Sequence, residues 1–260
     1  MISKFALLVL SCDKYSDLWE PFFHLFWKNW PNCPYPVYVG SNTIVYKKDQ
    51  RVKTILSGKD TDWSTSFKKI LAQIPEKYIF VWMEDAFITS KIATTKFEET
   101  FNFMKMSRAV HIYHRTNLRP AKWINKGKYG VYEKGMPYRV SAVGFWQKDY
   151  LISLLLNGEN SWGFEVFGSY RASFDEGFYC LDKQLFEFIH LVEKGRWLPS
   201  GIEYFKQNKV TMDISARPKI VAERRILSIL QAVYFNRILS IDWKYRVKIM
   251  NLLRRLLVSY

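Results

Sequence analysis

The stretch Lys77-Tyr78-Ile79-Phe80-Val81-Trp82-Met83-Glu84-Asp85-Ala86-Phe87-Ile88-Thr89 sets the organisation of the chain. Six consecutive apolar residues lead into two adjacent carboxylates, and the sequence then turns apolar again. A β-rich run that is apolar on both faces predicts a strand buried inside a parallel sheet. Ligands of open α/β sheets bind just outside the carboxyl ends of strands, so Glu84 and Asp85 are candidates for a binding site. A solvated strand end with a helix cap is the alternative interpretation.

Composition points to a globular protein with an anionic partner. The chain has 260 residues, of which 48% are hydrophobic, enough for one large domain with a substantial core. Its formal net charge of +15 favours nucleic acid, anionic lipid or a phosphorylated substrate as the partner. The aromatic content of 17% suits stacking on sugars or bases and also a membrane interface.

Cysteine usage and hydropathy predict a cytoplasmic location. The three cysteines are widely spaced and match neither a disulfide framework nor a metal-ligand pattern, which favours a reducing compartment. The apolar run Phe5 to Leu10 is too short for the core of a signal peptide. No run approaches the roughly 20 apolar residues of a spanning helix. We therefore expect a cytoplasmic protein, peripheral on the inner face of the membrane if it associates with one.

Strand-like and helix-like segments alternate over residues 1–90, the pattern of a parallel sheet flanked by helices. Polar residues collect after each predicted strand. The chain has no Gly-x-Gly-x-x-Gly and no Gly-x-x-x-x-Gly-Lys-Ser/Thr, so a Rossmann dehydrogenase and a P-loop enzyme are both disfavoured. Before the opening strand, the pattern predicts strands at Phe5–Leu10, Tyr35–Val39 and Val52–Leu56, and helices that begin near Ser16 or Asp17 and at Asp62 or Ser64.

Residues 107–200 are predicted to form a second half of the same domain, with mixed strands and helices. The Gly-containing segment 158–171 has a loop-like composition. We expect the domain to span residues 1–218. The remaining predictions are a helix at 91–106, a strand at Val110–His114, a loop or hairpin at Arg115–Tyr138, a strand at Arg139–Trp146 and a helix at Lys148–Asn157.

Residues 219–260 differ in kind from the rest of the chain. Nine Lys and Arg residues stand there against two acidic residues, Glu223 and Asp242, with apolar residues between them at helical spacing. Basic amphipathic helices with aromatic residues at their edges suit an anionic membrane surface. We predict a helical appendage that binds such a surface; packing of one face on the domain is the alternative.

The order of short motifs resembles that of bacterial glycosyltransferases of the GT-A type, found among capsule, O-antigen and lipooligosaccharide assembly enzymes. The motifs are Ser11-Cys12-Asp13-Lys14-Tyr15 after the first strand, Trp63-Ser64 at a helix start, Met83-Glu84-Asp85, Arg139-Val140-Ser141 with Trp146, and Glu159-Asn160-Ser161-Trp162-Gly163-Phe164-Glu165. The resemblance covers about residues 5–200. It implies a mixed, mainly parallel Rossmann-type sheet, with a donor half at about residues 1–90 and an acceptor half at about 107–200.

The resemblance also implies a nucleotide-sugar donor at the carboxyl edge of the sheet. Asp85 and Glu84 would hold a divalent cation, Mn²⁺ or Mg²⁺, that bridges the donor phosphates. The sequence is Glu-Asp-Ala rather than Asp-x-Asp, and adjacent strand residues point to opposite faces, so Asp85 is the preferred ligand. An enzyme without metal, in which Arg or Lys stabilises the diphosphate, stays open. The other implied donor-binding residues are Ser11, Asp13, Tyr15, Asp62, Trp63, Ser64 and Arg139.

On the acceptor side, an inverting enzyme needs a carboxylate as general base for the attacking hydroxyl. Glu165 and Glu159 flank Trp162, a candidate platform for the acceptor sugar. Partial burial beside an aromatic ring raises the pKa of a carboxylate, which suits a base. The resemblance implies a base at the last position of Trp-x-x-Glu, so we favour Glu165 and place Glu159 second; the acidic pair Asp175 and Glu176 stays open. The expected acceptor is a lipid-linked or surface glycan.

A non-catalytic basic protein that binds nucleic acid or a membrane is the competing hypothesis, because basic and aromatic residues together suit phosphate contact and base stacking. The chain carries no recognisable nucleic-acid-binding motif. That hypothesis also leaves two carboxylates at the end of a buried strand without a role. We therefore expect an enzyme and do not expect nucleic acid as its partner.

Overall fold

The computed structural model describes residues 4–193, 195–208, 210, 212–220, 229, 233, 237, 241–248 and 252. The strands are β1 Phe5–Leu10, β2 Val37–Ser41, β3 Val52–Leu56, β4 Tyr78–Met83, β5 Ala86–Ile88, β6 His111–Tyr113, β7 Lys122–Ile124, β8 Tyr129–Tyr132, β9 Gly144–Gln147, β10 Phe178–Leu181, β11 Phe188–His190, β12 Val192–Glu193 and β13 Arg196–Trp197. The helices are α1 Trp19–Asn29, α2 Trp63–Ala72, α3 Thr94–Ser107, α4 Lys148–Leu154, α5 Ser161–Arg171 and α6 Pro199–Gln207, with 3₁₀ turns at Asp13–Leu18 and Ile214–Ala216.

The main sheet has the strand order β3-β2-β1-β4-β9-β6-β10-β8-β7, and only β8 and β9 run against the other strands. The predicted mixed, mainly parallel sheet flanked by helices is confirmed. In register, Leu10 lies opposite both Gly40 and Met83. The carboxyl ends of β1, β2 and β4 therefore form one level edge of the sheet.

Both faces of the central strands are buried, which explains the continuous apolar runs in β1 and β4. Phe80 and Trp82 pack toward α1 on one face, and Ile79 and Val81 pack toward α2 on the other. A strand covered on both sides needs apolar residues at every position rather than at alternate ones. Replacing Phe80 by Ala would cost roughly 3–5 kcal/mol through lost burial and the cavity left behind.

Capping residues begin two of the helices near the candidate site. The Asp62 carboxylate accepts a hydrogen bond of 2.8 Å from the amide of Thr65 and begins α2. Asn160 accepts one of 2.7 Å from the amide of Gly163 and begins α5. The prediction of a loop at 158–171 is therefore wrong over most of that segment. Its glycines suggested a loop, but Gly168 lies on the buried face of α5 close to Val140, where a β-carbon would be only 3.2 Å from a Val140 methyl group.

The chain beyond residue 218 does not separate cleanly from the domain. Lys219 forms a parallel bridge with Trp197, and the amide of Ile220 donates to the carbonyl of Trp197 at 3.0 Å. Residues 243–248 are helical, and Trp243 packs against the apolar cluster on the side of the sheet that α2 covers. Most of the predicted basic amphipathic tail lies outside the described residues, so that prediction stands as it was made.

Candidate active site

The turn between β4 and β5 presents Glu84 and Asp85 at the level carboxyl edge of the sheet. The indole nitrogen of Trp82 donates to the carbonyl of Ala86 at 2.6 Å and closes this turn from below. Beside it, the chain leaves β1 at Ser11 and leaves β2 at Ser41. The edge therefore brings together the polar residues that follow three separate strands.

Glu84 is a buried carboxyl group whose Oε2 atom has no hydrogen-bond partner among the described residues. Burial raises its pKa well above the usual range, and the neighbouring Asp85 raises it further. Ser11 acts in the opposite direction through a hydrogen bond. A buried, unsatisfied carboxyl oxygen is costly unless a proton, a cation or a hydrogen-bond donor meets it. Glu84 is therefore suited to receive a cation or a ligand hydroxyl group.

Asp85 lies beside His190, a pairing that the antiparallel strands β5 and β11 create. The amide of Leu191 donates to the Asp85 carbonyl at 3.0 Å, and His190 lies opposite Ala86 in register. Burial raises the pKa of Asp85, and His190 lowers it. His190 itself is exposed. In sequence it sits at the end of an apolar run, and only the pairing of β11 with β5 brings it to the edge.

This edge supplies too few protein ligands to hold a divalent cation alone, and the phosphates of a bound substrate would have to complete the coordination shell. Within the described residues, no three His, Cys, Asp or Glu side chains converge as metal ligands. Mg²⁺ and similar hard cations are commonly held by one or two carboxylates, with substrate phosphates and water completing the shell. Asp85 and the unsatisfied oxygen of Glu84 match that donor set, with His190 adjacent to them. The residues fit a cation shared with a diphosphate and do not form a protein-only metal site.

Asp13 shapes the loop that follows β2. Its carboxylate accepts hydrogen bonds from the hydroxyl of Ser41 at 2.7 Å, from the amide of Asn42 at 3.0 Å and from the amide and hydroxyl of Thr43. Burial alone would raise the pKa of Asp13, but these hydrogen bonds outweigh it and hold the pKa well below the usual range. Asp13 thus organises the wall of the site, and its predicted contact with the donor stays a prediction.

Ser11 and Tyr15 lie next to the acidic pair. The Ser11 hydroxyl accepts a hydrogen bond of 2.8 Å from the indole of Trp19. Burial raises the pKa of the Tyr15 hydroxyl, and the charge of Glu84 raises it further, which places this ring near the edge. The predicted contact of both residues with the nucleoside of a donor stays a prediction.

Arg217 supplies a cation that the sequence analysis did not single out. Its guanidinium lies over the Tyr15 ring at 4.3 Å and donates to both carboxylate oxygens of Asp17, at 2.8 and 2.5 Å. It also lowers the pKa of Glu84 and of Asp85. A residue more than a hundred positions away in sequence therefore fastens the loop after β1 and adds positive charge beside the acidic pair.

A second group of polar side chains begins at Glu165, which lies on the inner face of α5. Its carboxylate accepts a hydrogen bond of 2.9 Å from the Ser141 hydroxyl. Burial raises the pKa of Glu165, and the bond from Ser141 lowers it in part. A partly desolvated carboxylate with one remaining hydrogen-bond donor has the character of a general base.

Tyr113 connects this carboxylate to a further cation. Burial raises the pKa of Tyr113, Arg115 lowers it, and the charge of Glu165 raises it. Ser141 and Arg115 both interact with the Tyr113 hydroxyl as hydrogen-bonding groups. The result is a polar cluster that we call the base cluster: Arg115, Tyr113, Ser141 and Glu165.

The base cluster lies at the same sheet edge as Glu84 and Asp85. Val81 pairs with Gly144 of β9, and Phe145 of β9 pairs with Ile112 of β6. Tyr113, the last residue of β6, is therefore level with Val81, two residues before the end of β4, and β9 lies between the two strands. Two strand spacings place β6 at a lateral offset of roughly 10 Å from β4.

Glu159 and the start of α2 are used by the fold itself. Glu159 forms a two-point ion pair with Arg171, with both distances 2.7 Å. Asp62 caps α2, and the Ser64 hydroxyl donates to the carbonyl of Leu156. Trp63 packs against Phe67 and Phe164. These contacts favour structural roles for Glu159, Asp62, Trp63 and Ser64, and no ligand contact is needed to explain them.

Arg139 and Trp162 occupy opposite environments. Arg139 is buried, stacks on Phe178 at 4.2 Å and donates to the main-chain carbonyls of Glu133 and Asp175. This burial leaves its guanidinium no surface for phosphate and favours a structural role over the predicted one. Trp162 is largely exposed, one turn before Glu165 on α5. Its predicted contact with an acceptor stays a prediction.

No protein-family model matches the chain, and no curated protein matches its sequence. Among solved structures, the chain is similar to Staphylococcus aureus TarS at 11% identity and a TM-score of 0.45, over 70% of this chain and 37% of that one. It is also similar to S. aureus TarS 1–349 in complex with UDP-GlcNAc, at 13% identity and a TM-score of 0.43, over 71% and 60%. A third is the bifunctional IspDF from Campylobacter jejuni, at 13% identity and a TM-score of 0.41, over 70% and 50%. The chain thus spans about a third of the first of these proteins.

Proposed function

We propose that this protein is a glycosyltransferase that moves a sugar from a nucleotide-sugar to a glycan or lipid-linked acceptor. One observation carries the proposal: an acidic pair with cationic neighbours follows β4, and the half-buried carboxylate of Glu165 is bonded to Ser141 beside the end of β6, two strands along the same sheet. A nucleoside diphosphate needs the first group, and a sugar hydroxyl needs the second. Neither a nucleic-acid-binding protein nor a scaffold has a use for both.

The donor diphosphate is proposed to bind over the turn at Glu84 and Asp85. Ser11 and Tyr15 would line the pocket on the β1 side, and Arg217 would stand behind the acidic pair. A divalent cation held by Asp85 and Glu84, with His190 beside them, would neutralise the charge of the departing nucleoside diphosphate. An enzyme without metal would rely on cations such as Arg115 and Arg217 instead.

Glu165 is proposed to act as the general base in an inverting transfer. Its carboxylate takes the proton of the acceptor hydroxyl while that oxygen bonds to the anomeric carbon of the donor. The bond from the anomeric carbon to the diphosphate breaks, and its electron pair leaves with the phosphate oxygen. Ser141 donates to the carboxylate and orients it, and Tyr113 lies beside Ser141. A base placed in this way contributes typically 10²- to 10⁴-fold.

The acceptor and the location are proposed from charge. A net charge of +15 and a basic C-terminal segment suit an acceptor held at an anionic surface, such as the cytoplasmic face of a bacterial inner membrane. Within the part of the chain that the structure describes, no helix is long and apolar enough to cross a bilayer. Assembly of a capsule, an O-antigen or a lipooligosaccharide is the context that the sequence motifs favour.

A thermal-shift screen of nucleotide-sugars with and without Mn²⁺ tests the proposal directly, because a ligand that binds only the folded state raises the melting temperature. Wild-type protein should be stabilised by one nucleotide-sugar, and Asp85→Asn should lose that stabilisation and sugar transfer together. Asp182→Asn is the matched control, since this exposed aspartate follows β10 at the same edge. If no nucleotide-sugar shifts the melting temperature and nucleic acid does, the proposal is wrong.

A further inference from the structure

The outer face of α5 is covered by aromatic side chains and carries no charge within the described helix. Trp162, Tyr170 and Phe167 are 74%, 67% and 56% exposed, and Phe174 in the following turn is 88% exposed. Val166 lies between Trp162 and Tyr170 on the same face because residues four apart stand above one another. We call this surface the aromatic face.

A solvated helix normally carries charged residues on the side away from the core. The two charged residues of α5 both make contacts within the protein. Glu165 accepts a hydrogen bond from Ser141, and Arg171 forms an ion pair with Glu159. A contiguous exposed patch of this kind marks an interaction site rather than scattered surface residues. Trp and Tyr in particular favour places where one end of the ring is apolar and the other is wet.

A basic segment adjoins the aromatic face at its C-terminal end. The amide of Gly135 donates to the carbonyl of Ser173 at 2.8 Å, and the ring of Trp243 lies against Gly135. Lys244 reaches Glu133 at 3.4 Å, and Tyr245 next to it is largely exposed. The described residues 241–248 of the basic C-terminal segment therefore continue the surface that begins at Trp162.

From these contacts we infer that the aromatic face of α5, together with residues 241–248, docks on an anionic lipid bilayer. A second copy of the chain is disfavoured as the occupant, because each copy carries a net charge of +15 and the two would repel each other. An anionic bilayer offers the opposite charge and a headgroup layer that accepts aromatic rings.

Docking in this manner fixes the acceptor class for the proposed function, on which this step rests. Glu165 lies on the same helix as the aromatic face, one turn from Trp162. A bilayer against that face would hold the headgroup of an anchored glycolipid near the start of α5, one helix diameter (roughly 10 Å) from the base cluster on the inner side. The acceptor is therefore expected to be a sugar carried on a membrane lipid rather than a free oligosaccharide.

Vesicle sedimentation tests the docking without any substrate. The variant Phe167→Ser/Tyr170→Ser/Phe174→Ser leaves Trp162 and the base cluster intact. Its partition onto vesicles of equimolar phosphatidylglycerol and phosphatidylcholine should fall by about tenfold or more, since each removed ring loses its burial in the headgroup layer. Met106→Ser is the matched control, because this side chain on α3 is 84% exposed and lies outside the aromatic face. Circular dichroism and the nucleotide-sugar thermal shift should match wild type in both variants.

Equal vesicle binding by the triple variant and the wild type would overturn the inference. So would a wild-type dimer in sedimentation velocity that the triple variant abolishes while vesicle binding persists, because the occupant would then be a second copy. Failure of the proposed function looks different: vesicle binding would depend on the aromatic face while no sugar is transferred. If both hold, the triple variant should lose transfer to a vesicle-borne glycolipid and keep transfer to a water-soluble analogue.

Discussion

The hydroxyl of Ser141 donates a hydrogen bond of 2.9 Å to the carboxylate of Glu165, and this contact joins the end of the sheet to the outer helix α5. Ser141 lies three residues before β9, and Glu165 lies in the middle of α5. The bond favours the ionised form of the carboxylate in surroundings that otherwise disfavour it. Its removal therefore has a predictable effect on the pH at which the base works.

Ser141→Ala should move the acidic limb of the pH–rate profile to higher pH. Burial already raises the pKa of Glu165, and the serine holds that rise in check. Without the serine the pKa rises further, so a smaller fraction of the base is ionised at a given pH below it. Activity at low pH should fall, with little change on the alkaline side. The measurement is kcat/KM against pH.

Ser141→Thr keeps a hydroxyl at the same position and is the control for this change. Its acidic limb should stay close to that of wild type. If the acidic limb of the pH–rate profile does not move in Ser141→Ala, the ionisation that controls the rate does not belong to Glu165. The base would then have to be sought among other carboxylates.

Replacing each of the two candidate bases by glutamine should give different results. Glu165→Gln should lower kcat by about 10²- to 10⁴-fold, because an amide cannot take the proton of the acceptor hydroxyl. Glu159→Gln should keep most of the activity and lose about 1 kcal/mol of stability, because its ion pair with Arg171 is partly buried. Turnover and urea unfolding measure the two effects. An inactive Glu159→Gln that folds normally would transfer the role to that residue.

The backbone of the site was predictable because a buried strand requires a continuous run of apolar residues and its end is marked by polar ones. Six apolar residues before Glu84 require a strand covered on both faces, and parallel order brings the polar ends of β1, β2 and β4 to one edge. The structure confirms that arrangement. The segment around Glu165 was misassigned because Gly163 and Gly168 resemble loop residues, whereas the Asn160 cap and close packing at Gly168 make a helix there.

The side chains were less predictable, for two physical reasons. Carboxylates near Ser and Thr often accept hydrogen bonds from neighbouring main-chain amides, as Asp13 and Asp62 do. The sequence does not distinguish such a structural carboxylate from one that binds a ligand. Conversely, His190 and Arg217 reach the edge only through long-range contacts: the pairing of β11 with β5, and the ion pair with Asp17. Neither contact has a local spacing that could predict it.

His190→Ala should weaken the response to a metal more than the fold. The imidazole stands beside Asp85, lowers its pKa and is exposed, so its loss should change the donor set and leave the core intact. We expect the Mn²⁺ concentration for half-maximal stabilisation by the nucleotide-sugar to rise by about tenfold or more. His24→Ala, an exposed histidine on α1, is the control and should behave as wild type. Equal Mn²⁺ dependence in the two variants would remove His190 from the site.

Arg217 should contribute to both stability and donor affinity, in contrast to the exposed pair of Arg51 and Asp49. The Arg217 side chain is 9% exposed and holds Asp17 through two bonds, whereas that of Arg51 is 56% exposed. Arg217→Ala should therefore cost about 1–3 kcal/mol in urea unfolding, and Arg51→Ala less than about 1 kcal/mol.

Because Arg217 also lies beside Tyr15 and the acidic pair, its removal should weaken binding of the nucleotide-sugar. Arg217→Lys keeps the charge and loses the two-point contact with Asp17, so it should recover part of the affinity and little of the stability. Calorimetric titration of the donor separates the two contributions. A variant Arg217→Ala that binds the donor as wild type does would limit this residue to fastening the loop after β1.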